Sequence, residues 1–235
     1  PKDSAVAEQK ALEMIKKRLT QTERVRVDAN FIKTTVMECG IKALKASNAD
    51  DVIDLLTSSD RVCDDDIPLA LSFPDVFDQH IVLREWIDIP TCNEFRAFVF
   101  DRQLTACAQY FCDAYFPQLV ENQIRIANLL RAFFETIKDA VALDEYVLDL
   151  AVDLKTDRVL IIELNPFGKP SGCGTGTPLF NCREEHDFRV LFGEAPFELR
   201  VQTEKPTTLQ NVLRDGPLKQ WLLDQKFIDE NLNIL

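Results

Sequence analysis

The sequence predicts an α+β protein, on three observations. Near the amino end apolar residues recur at helical spacing, with Leu12, Ile15 and Leu19 on one face and lysines on the other. From His80 onward β-rich runs take over, at Ile81–Ile87, Glu94–Phe100 and Gln103–Tyr110, separated by turn formers. Between these and a last hairpin, Tyr146–Leu154 and Arg158–Leu164, lies the strongest helical pattern of the chain. It covers residues 119–140 and carries Ile126, Leu129, Leu130, Phe133, Phe134 and Ile137.

The first helix is expected over 4–19, with Asp3 placed to cap it. Residues 24–28 are short and ambiguous. Asn48 opens the next clear unit, a capped helix bearing Val52, Leu55 and Leu56. Residues 60–79 break into acids and prolines and read as loop. Lys155-Thr156-Asp157 turns the last hairpin, Asn165-Pro166-Phe167-Gly168 ends it, and a small-residue loop follows over 170–178. The tail is expected to hold a strand near 197–201 and short helices near Leu209 and Leu218. No internal repeat is present.

A chain of 235 residues is long enough for one large domain or two packed lobes around a sizeable core. Its 46% hydrophobic and 28% charged composition is that of a soluble globular protein, and no apolar run approaches the ~20 residues of a membrane span. A membrane partner is therefore not expected. The formal charge of −12 argues against generic nucleic-acid binding, which relies on basic residues neutralising phosphates. Acid runs such as Asp64-Asp65-Asp66 stand either as solvated loop or as a face for a basic partner. Seven cysteines lack zinc-type spacing and read as reduced structural thiols. The amino end is polar, begins without Met and contains no visible signal peptide, so a cytoplasmic location is expected, with upstream sequence possible.

Chemistry concentrates on the two hairpins. A turn centred on Thr156 pairs residues whose positions are symmetric about it, which sets Asp149 across from Glu163, with Asn165 on the same face. The other face is then apolar, with Leu148, Leu150, Val152, Leu160, Ile162 and Leu164 suited to packing on a helix. Two like charges directly across a sheet repel, so this pair needs a proton, a basic side chain or a cation beside it. Magnesium takes one or two carboxylates plus phosphate oxygens, and Asn165 can add a carbonyl oxygen. A polar hairpin face with coincidental acids stands as the other reading. In the first hairpin a turn at Asp101-Arg102 sets Glu94 opposite Gln109, with Arg96 on the same face. Either Glu94 and Arg96 are a structural ion pair, or the planar arginine fork takes phosphate oxygens while Glu94 orients it or accepts from a sugar hydroxyl.

His80 and His186 have no nucleophile elbow beside them and read as structural or surface residues. The run Ser171-Gly172-Cys173-Gly174-Thr175-Gly176-Thr177 lacks the Gly-Lys-Ser/Thr ending of a phosphate loop, and a flexible loop is expected.

Several blocks, in order, resemble the cell division cycle protein 123 family of eukaryotic assembly factors for translation initiation factor 2. They are Pro1-Lys2-Asp3-Ser4, Leu44-Lys45, Asp51 to Asp60 ending in Ser58-Ser59-Asp60, Val82-Leu83-Arg84-Glu85-Trp86 and Glu94-Phe95-Arg96-Ala97-Phe98-Val99. The match continues through Ala108-Gln109, the 119–137 helix, Tyr146-Val147-Leu148-Asp149 and Ile162-Glu163-Leu164-Asn165-Pro166-Phe167-Gly168. The resemblance implies an ATP-grasp fold, in which two α+β lobes with antiparallel sheets and packed helices hold ATP and Mg2+. A smaller lobe, incomplete and carrying a helical insertion between Ser4 and Glu38, would cover 1–79. A larger lobe with the metal site would cover 80–235.

By the same resemblance Asp149, Glu163 and Asn165 match the magnesium site, and Glu94 and Arg96 the nucleotide pocket. Arg84, Glu85, Trp86 and Ile87 match the segment that reads the adenine edge. Lys45 matches a lysine that reaches the phosphates, and Pro1 and Lys2 the edge of a nucleotide-contacting loop. There are departures. Glu163 stands where the family usually has Asp, Thr57 replaces a lysine, and Tyr110 replaces an arginine. Another nucleotide-contacting lysine of the family lies upstream of Pro1.

The function implied is that of a nucleotide-binding chaperone in protein biosynthesis and the cell cycle, which binds the gamma subunit of initiation factor 2 and promotes its assembly, without need of hydrolysis. Two rivals stand beside it. One is an ATP-grasp ligase that activates a carboxylate as an acyl phosphate; the other is a degenerate scaffold that no longer binds nucleotide. Asp149→Ala or Asn165→Ala is expected to weaken magnesium-dependent ATP binding and leave the fold intact.

Overall fold

The computed structural model describes residues 5–76, 78, 80–167, 176–209 and 216–234. Expectations for Pro1, Lys2, Gly168 and loop positions 170–175 lie outside them. In chain order come α1 (Ala5–Gln21), α2 (Ala29–Ala43), α3 (Ala49–Thr57), a π-helical turn Arg61–Asp66 and α4 (Ile67–Ser72). There follow β1 (Glu94–Phe100), β2 (Gln103–Gln109), α5 (Pro117–Glu121), α6 (Gln123–Ile137), β3 (Tyr146–Asp153) and β4 (Arg158–Asn165). The last elements are α7 (Glu185–Leu191), β5 (Glu198–Arg200) and α8 (Pro217–Asp224). They divide into two compact units, Pro1–Asp88 with Thr207–Leu235, and Ile89–Pro206.

The first unit is helical among its described residues, apart from isolated bridges at Thr208–Asn233 and Ile228–Ile234. The apolar stripe of α1 does what its spacing requires: Leu12, Ile15 and Leu19 are buried, the last two packing with Ile32 and Cys39 of α2, Leu222 of α8, and Phe227 and Ile228. Periodicity alone did not single out α2, because Lys33, Thr34 and Thr35 interrupt its apolar pattern. Packing against α1 overrides the weak local preference of β-branched threonines. Asp28 starts α2, its carboxylate accepting the Phe31 amide at 2.7 Å. Asp28→Ala is expected to lower unfolding free energy by about 1 kcal/mol, read as a shift of the urea midpoint at unchanged slope. Arg24 lies 5.0 Å from the centre of the Phe227 ring and donates to the Gln225 and Lys226 carbonyls just past α8.

Two expectations fail in this unit. Residues 60–79 were expected as loop, yet the chain coils continuously from Arg61 to Ser72. Pro68 sits in the first turn of α4, where the coil changes from π-helical to α-helical. The run Ile81–Ile87 forms no strand. A strand exists only when its backbone groups are paired, and no described element pairs with this one. Its Ile81, Val82, Leu83 and Ile87 side chains are 65%, 83%, 71% and 53% exposed.

The second unit is built on a five-stranded sheet in the order β4-β3-β1-β2-β5. The sheet is mixed: β1 to β4 pair antiparallel, but β5 runs parallel to β2. Asp101 and Arg102 both adopt positive φ, 48° and 57°, as a two-residue turn whose twist suits a hairpin demands. One sheet face carries Phe98, Val147, Ala106 and Ala108, packed with Phe167, Phe180, Phe192 and residues Val190 and Leu191 of α7. Alternate residues Phe95, Ala97, Leu148 and Leu150, all fully buried, point to the other face, where α6 packs through its stripe Ile126, Leu130 and Phe134. Leu164 and Ile161 on the edge strand β4 remain 44% and 41% exposed.

Both hairpins contain an irregularity that symmetric counting misses. In the first, the register shifts between Phe98 and Val99, so Phe95 and not Glu94 lies across from Gln109. Thr105 occupies the bulge, its buried hydroxyl facing the Phe98 and Leu191 carbonyls at 3.2 and 2.8 Å. Gln109 is thereby turned away from Arg96, which pairs across with Ala108. Its amide instead donates to the Phe111 and Ala114 carbonyls and accepts from the Gln202 amide, a structural task. In the second hairpin the register shifts between Asp149 and Leu150. The bulge there sets Asp149 across from Glu163, the expected pairing reached by a less regular path.

Cys182 is disulfide-bonded, whereas Cys39, Cys63, Cys92, Cys107 and Cys112 form no disulfide. The expectation of reduced thiols throughout therefore fails at Cys182, since pairing depends on spatial approach that spacing does not reveal. Among the described residues no helix is long and apolar enough to cross a membrane.

Candidate functional site

Sheet geometry lines up one row of side chains across all five strands. Arg96 of β1 is the partner of Asp149 on β3 and of Ala108 on β2; Asp149 faces Glu163 on β4, and Ala108 faces Arg200 on β5. Directly opposed residues share a sheet face, so two acids and a base lie side by side, with a second base beyond Ala108.

Arg96 grips Asp149 through both oxygens, Nε to Oδ1 at 2.9 Å and Nη2 to Oδ2 at 2.7 Å. The Asn165 amide nitrogen bridges the two carboxylates, 3.1 Å from Asp149 Oδ2 and 3.0 Å from Glu163 Oε1. Asp149 is 1% exposed and the Arg96 side chain 16%. Burial pushes the Asp149 carboxyl above its ordinary range; the Arg96 fork pulls it down, and the Glu163 charge adds to the rise. The Arg96 guanidinium is held more firmly protonated by its bond to Asp149, against the cost of burial. Because the pair is enclosed, Asp149→Ala is expected to lower stability as well as metal affinity.

Tyr110 and Gly176 complete the Arg96 surroundings. The Tyr110 ring centre lies 5.0 Å from the guanidinium carbon. Gly176 has φ +61°, and a Cβ built on it would overlap Arg96 Nη1. Sequence reasoning treated Tyr110 only as a lost positive charge and Gly176 only as part of a small-residue loop. Neither role has a local signature, because both depend on where the arginine fork comes to rest.

The other candidates are dispersed. Glu94 faces Ala151 two residues before Arg96, and its carbonyl accepts the Tyr110 amide at 2.9 Å. In the first unit Lys45 Nζ lies 5.9 Å from the centre of the Trp86 ring. Arg84, Glu85 and Ile87 are exposed along the same segment.

Asp149, Glu163 and Asn165 offer hard oxygen donors, the set Mg2+ prefers when phosphate supplies the remaining ligands. These residues fit such an ion once Asn165 turns its Oδ1 toward it and Arg96, which holds both Asp149 oxygens, gives way. Among the described residues no group of three or more His, Cys, Asp or Glu side chains is assembled for a metal, so the candidate set is two carboxylates and an amide.

At the far end of the row, Arg200 bonds Glu198 at 2.9 Å and Asp187 at 2.7 Å and covers the Phe180 ring, while His186 meets Glu198 at 2.7 Å. Burial works to raise the Glu198 carboxyl, but bonds and charges from Arg200 and His186 together hold it below the ordinary 4.5. The folded chain thus takes up this proton less readily than the unfolded one. The stability so gained is present above pH 4.5 and is lost as pH falls through the lower folded value. Thermal melts in mildly acidic buffers should show a flatter pH dependence for Glu198→Gln than for wild type.

This arrangement defines an α+β protein with an ion-paired carboxylate row on one sheet face, and its fold has a solved counterpart. It is similar to the structure of Cdc123 from Schizosaccharomyces pombe, with a TM-score of 0.50 at 22% identity over 85% of this chain and 88% of that one. The model of the D123 family matches residues 27–211, and the chain belongs to that family. It is 32% identical over 152 residues to "Cell division cycle protein 123" of Phaeosphaeria nodorum, covering 60% of this chain and 37% of that protein. With the "Translation initiation factor eIF2 assembly protein" of Schizosaccharomyces pombe it shares 33% over 154 residues, 60% of this chain and 44% of that protein. The protein of the same name from Candida albicans is 29% identical over 158 residues, 61% of this chain and 45% of that one. The chain spans 37% to 47% of the length of the first relatives it matches.

Proposed function

We propose that this chain is an ATP- and Mg2+-binding assembly factor of the ATP-grasp type, acting on the gamma subunit of translation initiation factor 2 to promote joining of its subunits. The observation that carries the reading is the row Arg96, Asp149, Glu163 with Asn165 across it, in a family whose relatives are named eIF2 assembly proteins. In this reading Asp149, Glu163 and Asn165 hold the metal, which supplies positive charge to nucleotide phosphates. Arg96 and Glu94 line the pocket, Lys45 reaches phosphate, and Arg84, Glu85, Trp86 and Ile87 meet the adenine. Nucleotide binding then favours one conformation of the partner surface, as any ligand with differential affinity does.

Capture of purified gamma subunit on immobilised protein tests the reading. Retention should rise when ATP and Mg2+ are both present and should lose that rise in Glu163→Gln. Equal or absent retention under all conditions would overturn it.

A further inference from the structure

Arg96 occupies the place that a metal would need. Two carboxylates opposed across a sheet require a neighbouring positive charge, and Arg96 supplies one, spending both fork bonds on Asp149. The Asn165 amide adds a third donor to the same carboxylate. With Asp149 at 1% exposure, no side of it is left open to solvent. A Mg2+ ion sits only about 2.0–2.1 Å from its oxygen ligands, so it cannot share Oδ2 with two N–H donors already there. Retreat of the guanidinium is resisted, because the Tyr110 ring lies against it and Gly176 abuts Nη1.

We propose that Arg96 is the resident counter-ion of Asp149 and Glu163, and that a divalent cation enters this site by displacing it. The inference deepens the proposed metal site and rests on that reading. Its consequence is a coupling between metal and nucleotide. Metal alone must evict Arg96 and leave its charge facing the ion. Metal arriving with a nucleotide gives the freed fork a phosphate to hold, a bidentate match that arginine makes well. The two ligands then strengthen one another's binding by the same factor. Asn165 takes part by inverting its amide, exchanging two donated hydrogen bonds for one oxygen ligand. Tyr110 and Gly176 act as positioning residues that keep Arg96 on Asp149 while metal is absent.

The experiment is titration of Mn2+ into nucleotide-free protein, with free ion read by electron paramagnetic resonance, for wild type, Arg96→Gln, Arg96→Lys and Glu163→Gln. Arg96→Gln should bind Mn2+ more tightly than wild type, by about one to three powers of ten, the factor by which a neighbouring arginine affects a proton on a carboxylate. Its melting temperature should be depressed without Mn2+ and recover with it, and Arg96→Lys, which keeps the charge, should return affinity toward wild type. Unchanged or weaker binding in Arg96→Gln, with wild-type binding lost in Glu163→Gln, would overturn the counter-ion role and leave the metal site standing. Absence of Mn2+ binding in every protein would overturn the metal site itself. If Arg96→Gln does not fold, the Arg96 Nε–H resonance of wild type decides: it should shift as Mg2+ saturates the site, and an unmoved resonance at saturation would refute displacement.

Discussion

Asp149→Ala is expected to destabilise the protein by roughly 3–5 kcal/mol, the effect of removing one partner of an enclosed ion pair, and to abolish magnesium-dependent ATP binding. Stability falls because Arg96, 16% exposed, would keep its charge without the carboxylate that holds both fork nitrogens. Asn165 would also lose one of its two carboxylate acceptors. Asn165→Ala separates the two effects. That side chain is half-buried and contributes two hydrogen bonds, one to Asp149, which Arg96 also holds, and one to the exposed Glu163, so its stability change should be much smaller while its binding defect persists. Urea midpoints for both variants, alongside nucleotide titrations, read the two effects independently.

Phe98→Ala should cost about 3–5 kcal/mol, the range for deleting a buried aromatic ring. Phe98 is fully buried, two residues beyond Arg96 on the same face of β1. Its ring meets Phe167 at 5.4 Å and Phe180 at 5.8 Å between centroids, both tilted toward the edge-to-face geometry that aromatic pairs favour. Phe167 follows β4 shortly after Asn165, and Phe180 lies over Arg200, so a cavity here loosens both ends of the row. Denaturant unfolding gives the stability loss. A one-sided outcome, with β4 amides exchanging faster and β5 amides unchanged, would indicate that only the Phe167 contact matters.

Local patterns in the sequence carry much of this. Period-3.6 spacing identified α1, α3 and α6, and alternation with turn residues identified both hairpins to within a residue. The cluster of Asp149, Glu163 and Asn165 was legible because register and turn are local quantities. What escaped was set by distant partners. The β1–β2 bulge depends on Thr105 finding the Leu191 carbonyl, contributed by α7. Residues 81–87 have the composition of a strand but no described neighbour to pair with, and α2 is helical because α1 and α8 cover it. Arg96 was identified as a polar candidate, yet its capture by Asp149 follows from the β1–β3 pairing, which joins segments some fifty residues apart. Hairpin counting does not reach that pairing.

Calorimetric titration of ATP into wild type and Asn165→Ala, each with and without Mg2+, tests the nucleotide site most directly. Binding that requires Mg2+ in wild type and is at least tenfold weaker in Asn165→Ala, a loss of about 1.4 kcal/mol, is the expected result. Equal ATP affinity in the two proteins, or wild-type binding indifferent to Mg2+, would contradict it.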